Sequence, residues 1–537
     1  MRKKHTLRHG AAPEHGEAHH LEHERWTRRE FLSATGLLGV GGLLLNRLPV
    51  RTFQPSPLLA ALANGPDDRF LVLLRLDGGN DGLNTVVQRG NSHYYNLRPS
   101  VAIPDNQLWA LNPEYGMPLF TNDLQPLWNE GMMKIIFNVG YEPPNYSHFR
   151  STDIITSASD PDVKEQTGWL GRYLSDQYAA FLEAPPTVPP AMQIGVQSNL
   201  VFESDQANMA LSVSSPQQFY QIAQTGQLFP TAGLGASPRE LELLFVRQTA
   251  NAAFRYAEVI QEAYNKGRNH VTYAANSFAE QLAIVARLIK GNLGTKIFMV
   301  ELTGFDTHSA QENMHRNLLT WVSGAVRSFF DDLAYGNSGL EKKVLGMTFS
   351  EFGRSIYENG SRGTDHGWGT HTLLFGGEIG NGFVGQYADL SNPDPVGDPP
   401  HSVDFRSVYA TVLQDWLGNA PGVANFVMGK SFPTLPGLVP AITPPIGDNN
   451  KCALLGHNPN ATQSGTFDIK YSIMQNGPVR LQILDKAGHV RRTLIDVYQV
   501  KGSHTFHFKP AEWYIAPGVY QYRLQAGGQV FQREIRV

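Results

Sequence analysis

The chain has 537 residues, 41% of them hydrophobic, 17% charged and 10% aromatic, with one cysteine and a formal net charge of −4. That length makes room for about two to four domains and a large buried core. The lone Cys452 excludes a disulfide framework, a cysteine-based zinc ribbon and an iron–sulfur site. The mildly acidic balance gives no reason to expect nucleic acid as a partner.

Residues 1–63 read as an address rather than as fold. Thr27-Arg28-Arg29-Glu30-Phe31-Leu32 is a twin-arginine signature, followed by an apolar, glycine-rich stretch from Phe31 to Leu45. Ala61-Leu62-Ala63 then offers small residues suited to signal-peptidase cleavage. A bilayer anchor needs a longer, less interrupted apolar run, so export is the expectation. His5, His9, His15, His19, His20 and His23 precede the arginines and could form a metal-binding tract, which cleavage would remove. Cleavage takes away nine basic and five acidic residues and leaves a net charge of −8. The signature resembles that of the bacterial route for proteins exported already folded, often with a metal loaded.

The mature chain opens on Phe70-Leu71-Val72-Leu73-Leu74-Arg75-Leu76, nearly continuous in apolar residues, as a strand buried on both faces should be. Lys134–Val139, Lys296–Leu302, Val344–Phe349 and His371–Phe375 share that character. Amphipathic helical patterns lie between them, at about 239–266, 276–291, 312–335 and 406–417. Strands alternating with helices predict a parallel sheet covered on both faces, with ligand sites at the loops leaving the carboxyl ends of the strands.

Proline and glycine then thicken through residues 431–455, a linker that separates an α/β domain at 64–430 from a tail at 456–537. In the tail, short segments from Thr466 to Val537 alternate apolar with polar and are broken by Asn476-Gly477 and Gly527-Gly528. That pattern predicts a small antiparallel β-sandwich.

The chemistry lies in the loops at the strand ends. The first strand runs into Asp77-Gly78-Gly79-Asn80-Asp81-Gly82-Leu83-Asn84, where Asp77, Asp81 and Asn84 offer oxygens to a cation and the glycines let backbone come close. An ordinary turn has the same composition. The strand at 296–302 runs into Thr303-Gly304-Phe305-Asp306-Thr307-His308, a carboxylate and an imidazole that can converge on one ion. Ser350-Glu351-Phe352-Gly353-Arg354 comes after the strand at 344–349. Gly363-Thr364-Asp365-His366-Gly367-Trp368-Gly369-Thr370-His371 is the most specific signal, because Asp and His interleaved with glycine suit zinc ligation better than core packing. Tyr146-Ser147-His148-Phe149-Arg150 opens a helical stretch. Ser147 there suits an N-cap and equally a nucleophile held at a helix N-terminus, with His148 and Arg150 placed to hold ester oxygens.

Leu76-Asp77-Gly78-Gly79-Asn80-Asp81-Gly82-Leu83-Asn84, Ser147-His148-Phe149, Gly168-Trp169-Leu170-Gly171-Arg172, Gly304-Phe305-Asp306-Thr307-His308, Ser350-Glu351-Phe352-Gly353-Arg354 and Gly363-Thr364-Asp365-His366-Gly367 occur in one order. As an ordered set they resemble an exported bacterial family of uncharacterised function placed within the alkaline phosphatase/sulfatase superfamily. The resemblance spans about 68–430 and implies a three-layer α/β/α sandwich that binds divalent ions, zinc first, with manganese or calcium as alternatives. Carried over by position, it assigns Asp306, His308 and His371 to one metal site and Asp81, Asp365 and His366 to another, with Ser147 as nucleophile. Two departures stand out. The usual Asp-His-Gly does not directly follow its strand, which puts Glu351 forward for the position otherwise given to Asp365, and the first loop lacks an adjacent acidic pair. No Cys-x-Pro-x-Arg motif is present, which argues against a formylglycine-type sulfatase.

In the tail, Gly456-His457-Asn458-Pro459-Asn460, Val479-Arg480-Leu481-Gln482-Ile483-Leu484-Asp485 and Ala516-Pro517-Gly518-Val519-Tyr520-Gln521-Tyr522-Arg523-Leu524 resemble flagellar-hook-capping-type Ig-like modules and the C-terminal sorting domains of type IX secretion. That resemblance implies a periplasmic, cell-surface or secreted protein, with attachment through this module left open. The reading is an exported metal-dependent hydrolase of phosphate or sulfate esters, small-molecule or glycan, with Ser147 or a metal-activated water as nucleophile. The alternative is a non-catalytic surface or binding protein that keeps the fold and a structural ion.

Overall fold

The computed structural model describes residues 69–225, 256–391, 401–441 and 453–537, apart from short stretches at 179–180, 182–185, 196–198, 206, 420, 460–466, 474–476, 487, 500–501 and 527–528. The expected signal at 1–63, residues 442–452 of the linker and residues 239–255 of the helix read at 239–266 lie outside the described residues.

Phe70–Asp77 is the central strand its apolar run predicts. Leu71 and Leu73 enter the core on one face of the sheet, and Val72, Leu74 and Leu76 enter the core on the other. Burying each such side chain contributes about 1.5–3 kcal/mol over leaving it in water. Around this strand the sheet runs in the order Gly382–Val384, Met133–Gly140, Thr370–Gly376, Val344–Phe349, Phe70–Asp77, Ile297–Thr303, Ala191–Ile194 and Ala210–Val213, with Val403–Asp404 paired onto the Met133–Gly140 strand. All pairings are parallel except those of Thr370–Gly376, which runs against both of its neighbours. The loops after Asp77, Gly140, Thr303 and Phe349 therefore leave the sheet at one edge, and the reversed strand begins there with Thr370 and His371.

Helices cover both faces. Ser277–Lys290 and Gln311–Ala334 pack on one side through Leu282, Val285, Leu318 and Val322. His148–Ser157, Trp169–Gln177, Phe405–Thr411 and Pro421–Met428 pack on the other through Ile154, Leu170, Val408 and Val427. The Ser277–Lys290 helix is locally well specified: Asn276 caps it by accepting from the Ala279 N–H, Glu280 stands in the first turn, and Arg287 and Lys290 stand in the last. The result is a three-layer α/β/α sandwich.

Two smaller pieces carry no clear signal in the sequence. Val87–Gln88, Leu108–Ala110 and Tyr115–Pro118 form a three-stranded sheet. Gly353–Glu358 and Thr364–Gly367 form a ribbon that folds back along the carboxyl edge, with Arg354 opposite His366. The tail forms two antiparallel sheets of three and four strands around one shared core that includes Ile469, Tyr471, Leu481 and Tyr522. Its first strand, Ala453–Pro459, begins within the stretch read as linker. Arg533 of the tail pairs with Asp176 of the sandwich at 2.5 Å. No helix among the described residues is long and apolar enough to cross a membrane.

Candidate metal centre

The carboxyl edge draws together residues far apart in sequence because its loops approach at backbone distance. A Cβ on Gly78 would stand 2.3 Å from the Asp306 nitrogen, at a φ of +121° that side chains rarely adopt. A Cβ on Gly363 would stand 2.2 Å from the His308 carbonyl carbon. The glycines of these motifs are what let the first loop, the Asp306 loop and the ribbon touch.

Three imidazoles meet there, each held by its Nδ1. His148 Nδ1 lies 2.7 Å from Glu351 Oε1, His366 Nδ1 lies 2.7 Å from the Tyr146 carbonyl, and His308 Nδ1 lies 3.0 Å from Asp365 Oδ1. An Nδ1–H donated to those acceptors leaves Nε2 of a neutral ring as a lone pair. The Nε2 atoms of His148, His308 and His366 lie 3.4, 3.2 and 3.4 Å from a single oxygen, Asp306 Oδ1. Acceptors converging this closely repel unless positive charge lies among them, as protons or as a metal ion. Ligand atoms about 2.0–2.1 Å from a tetrahedral zinc stand about 3.3 Å apart, so these spacings suit one ion. The ligand atoms of His148, Asp306 and His366 all lie within 4.8 Å of one another. The 2.8 Å approach of His308 Nε2 to His366 Nε2 is tighter than a tetrahedral edge, which leaves His148, Asp306 and His366 as the better-spaced set.

The electrostatics derive from the same contacts. Burial alone would raise the Asp306 carboxyl, but hydrogen bonds from His148, His366 and Arg354 outweigh it and hold the group well below the usual carboxylate range. Burial would likewise depress His148, yet Asp306 and Glu351 prevail and push it up to about 9. His308 moves the other way, lowered by burial and then by the Arg354 charge. Glu351 is buried and would be raised by that burial, but its bond to His148 and the Arg75 charge bring it below its ordinary value. Asp77, beside Arg75 at 2.5 Å, is raised by burial.

Arg354 binds the loops into one unit. Its fully buried guanidinium donates to the carbonyls of Gly79, Thr364, Phe305 and Gly78 and, at 2.8 Å, to Asp306 Oδ1.

Asp81 and His371 lie elsewhere. Asp81 is completely buried, pairs with Arg98 at 2.7 Å, and also accepts from Gln311 Nε2 and the Asn84 N–H. Arg98 in turn donates to Asn84 Oδ1 and to the carbonyls of Ser355 and Ile356. With its oxygens engaged by protein donors, Asp81 caps the turn at Gly82–Thr85 and locks the first loop to the ribbon. His371 accepts the Asn138 N–H on Nδ1 at 3.2 Å and packs against Phe137 and Tyr387, and burial pushes it down to about 3. Neither joins the ligand set assigned to it by position. Asp365 reaches the cluster only through the far nitrogen of His308 and is otherwise exposed.

Ser147 is the N-cap of the His148–Ser157 helix, but its hydroxyl makes no capping bond. His148, placed by sequence beside an ester oxygen, stands instead among the converging ligands. Arg150 donates through Nη2 to the carbonyls of Asp160, Pro161 and Val163 and so holds the segment after the helix. Sequence reasoning missed Arg98 and Arg354. Arg354 stands inside a quoted motif, whereas Arg98 carries no local signal.

A mixed sheet covered on both faces, with a histidine–carboxylate cluster at its carboxyl edge, defines an α/β sandwich with a candidate metal centre. The chain belongs to the family described as protein of unknown function (DUF1501), whose profile matches residues 141–420, more than half of its length. No curated protein matches it. Among solved structures, a protein in the alkaline phosphatase superfamily from Vibrio parahaemolyticus is similar at 12% identity, covering 88% of this chain and 86% of its own, with a TM-score of 0.30. The C-terminal periplasmic domain of EcEptC from Escherichia coli, in complex with zinc, is similar at 13% identity over 75% of this chain and 99% of its own, with a TM-score of 0.30. A sulfatase from Pseudoalteromonas sp. is similar at 10% identity over 87% and 91%, with a TM-score of 0.31. Likenesses that distant say nothing about chemistry, which has to be argued from the side chains.

Proposed function

We propose that this chain is an exported, metal-dependent hydrolase of phosphate or sulfate esters. The observation that carries the reading is the convergence of three imidazole Nε2 atoms on Asp306 Oδ1 at 3.2–3.4 Å, each ring held from behind by an acceptor. His148, Asp306 and His366 would hold a divalent ion, and the His/Asp donor set favours zinc. Bound there, such an ion supplies Lewis-acid charge to the ester oxygens. Glu351 and the Tyr146 carbonyl orient His148 and His366 from behind, and Arg354 keeps Asp306 ionised. The N-terminus of the His148–Ser157 helix attracts the anionic ester, and Ser147 stands at that terminus next to His148. Ser147 Oγ bonds to phosphorus or sulfur as the bond to the ester oxygen breaks, and the serine proton ends on the departing alcohol. Water then repeats the exchange, restores Ser147 and releases phosphate or sulfate. Export rests on the twin-arginine signature, and attachment to the cell surface through the tail on its resemblance to sorting domains.

Elemental analysis of the folded chain lacking residues 1–63 tests the centre. Zinc at about one equivalent, lost in His148→Ala, Asp306→Ala and His366→Ala, is the expected result. Turnover of an aryl phosphate or aryl sulfate should then vanish in Ser147→Ala, with metal content unchanged. A folded chain that takes up no metal on re-metallation would falsify the reading.

A further inference from the structure

A second concavity, of about 570 Å³, opens between the small three-stranded sheet and the edge strand Gly382–Val384, and the ester chemistry makes no use of it. Tyr115, Phe137, Phe383 and Tyr387 give it an aromatic floor. Phe137 and Phe383 stack at 5.0 Å with 13° between their planes, and Tyr115 lies 5.2 Å from both Phe383 and Tyr387. These rings brace one another, and Tyr387 is further fixed by donating its hydroxyl to the Val86 carbonyl at 2.8 Å. Tyr115, Phe383 and Tyr387 pack against the core and are partly buried, so part of this aromatic cluster reaches the cavity.

The polar part of the lining is equally well held. Asn91 Nδ2 donates to Gln88 Oε1 at 2.6 Å, and Gln88 Nε2 donates to Glu114 at 3.1 Å. Each amide nitrogen has a second hydrogen and each amide oxygen a second lone pair, so the pair can both donate to and accept from hydroxyls. Among the described residues Asp389 is the one carboxylate of the lining, and no lysine or arginine belongs to it. A phosphate or sulfate would find no lysine or arginine on these walls, where His93 is the one basic side chain among the described residues, unlike at the Arg75- and Arg354-flanked centre.

Rigid aromatic faces beside amide and carboxylate groups suit one class of ligand: a neutral pyranose, whose C–H faces lie on the rings while its hydroxyls exchange hydrogen bonds with the amides. The volume falls within the range of about 300–1,000 Å³ usual for small-molecule sites. We propose that this cavity is a binding site for a neutral sugar ring, separate from the metal centre. It stands independently of the ester reading, since a chain without hydrolase activity would keep it.

The test is calorimetric titration of the full-length protein with lactose, cellobiose and N-acetylglucosamine. Saturable binding of at least one sugar is expected, weakened about tenfold or more in Tyr387→Ala, since a stacking contact and its buried area together supply on the order of the 1.4 kcal/mol that tenfold requires. Tyr387 also supports the fold, so the exposed Asp389→Arg and Asn91→Ser, which keeps a capping oxygen at the start of the Ser92–Leu97 helix, provide variants that stay folded. Each should lose binding while keeping the metal content of the parent. No saturable binding of any of the three sugars, or binding that survives both Asp389→Arg and Asn91→Ser, overturns the proposal.

Discussion

Asp81 and Asp306 come from matching positions, each in a glycine-flanked loop at the carboxyl end of a neighbouring parallel strand, yet their surroundings differ in kind. Asp81 is sealed from solvent and fully supplied by Arg98, Gln311 and the Asn84 N–H. Asp306 keeps 40% of its side chain exposed and faces imidazole Nε2 atoms on several sides. Asp81 meets only fixed donors, whereas Asp306 Oδ1 meets one fixed donor, Arg354, and three imidazole nitrogens, each able to carry a proton or to bind a metal ion. Residue type and loop position do not separate the two; the partners do.

The largest effect is expected at Asp81. Asp81→Ala leaves the Arg98 guanidinium buried without its counter-charge, which should cost about 3–5 kcal/mol in denaturant unfolding while metal content stays at the parental level. Loss of metal in a folded Asp81→Ala protein would put Asp81 back among the ligands. The same pair gives a pH dependence. Burial would raise the Asp81 carboxyl, but Arg98 and the other donors hold it below its ordinary value of 3.8. Its contribution is therefore in place above that value and lost as pH falls through the lower folded value, so parent and variant should converge in stability in strong acid.

Glu351→Gln should act on the centre itself. The amide oxygen can still accept from His148 and from the Gly78 N–H, but without charge, so zinc affinity should fall about 10–100-fold in a chelator competition with little change in unfolding. Arg150→Met should do least. It removes bonds to the carbonyls after the helix and should cost about 1 kcal/mol, with metal content and turnover intact. A collapse of turnover without loss of stability would return Arg150 to the reaction.

The central strands are legible because a strand buried on both faces must be apolar at nearly every consecutive position, as Phe70–Leu74 and, but for Thr348, Val344–Phe349 are. The loops are legible because glycine beside Asp and His is poor core material. The allocation of ligands is not, and Asp365 and His366 show why. Neighbours on a strand point to opposite faces, so once Thr364–Gly367 forms a strand, one of the two must turn outward: Asp365 has 67% of its side chain exposed and His366 12%. Read as a loop, the same segment allows both to converge. Arg98 escapes a sequence reading because its partners, Asp81 and the Ser355 and Ile356 carbonyls, are joined to it only through tertiary structure. The Ala191–Ile194 and Ala210–Val213 strands are only four residues each, too short to show a periodicity.

Arg354 sets an order of events. Its guanidinium is used up on main-chain oxygens of the Gly78–Gly79 loop, the Phe305 loop and the ribbon, together with Asp306. Until the sheet has closed between those segments there is no common point for the three imidazoles to face, and a nascent chain offers an ion only scattered, competing donors. On the proposed reading, an ion would find its site only once these loops have locked, and it would come from the pool surrounding the folded chain.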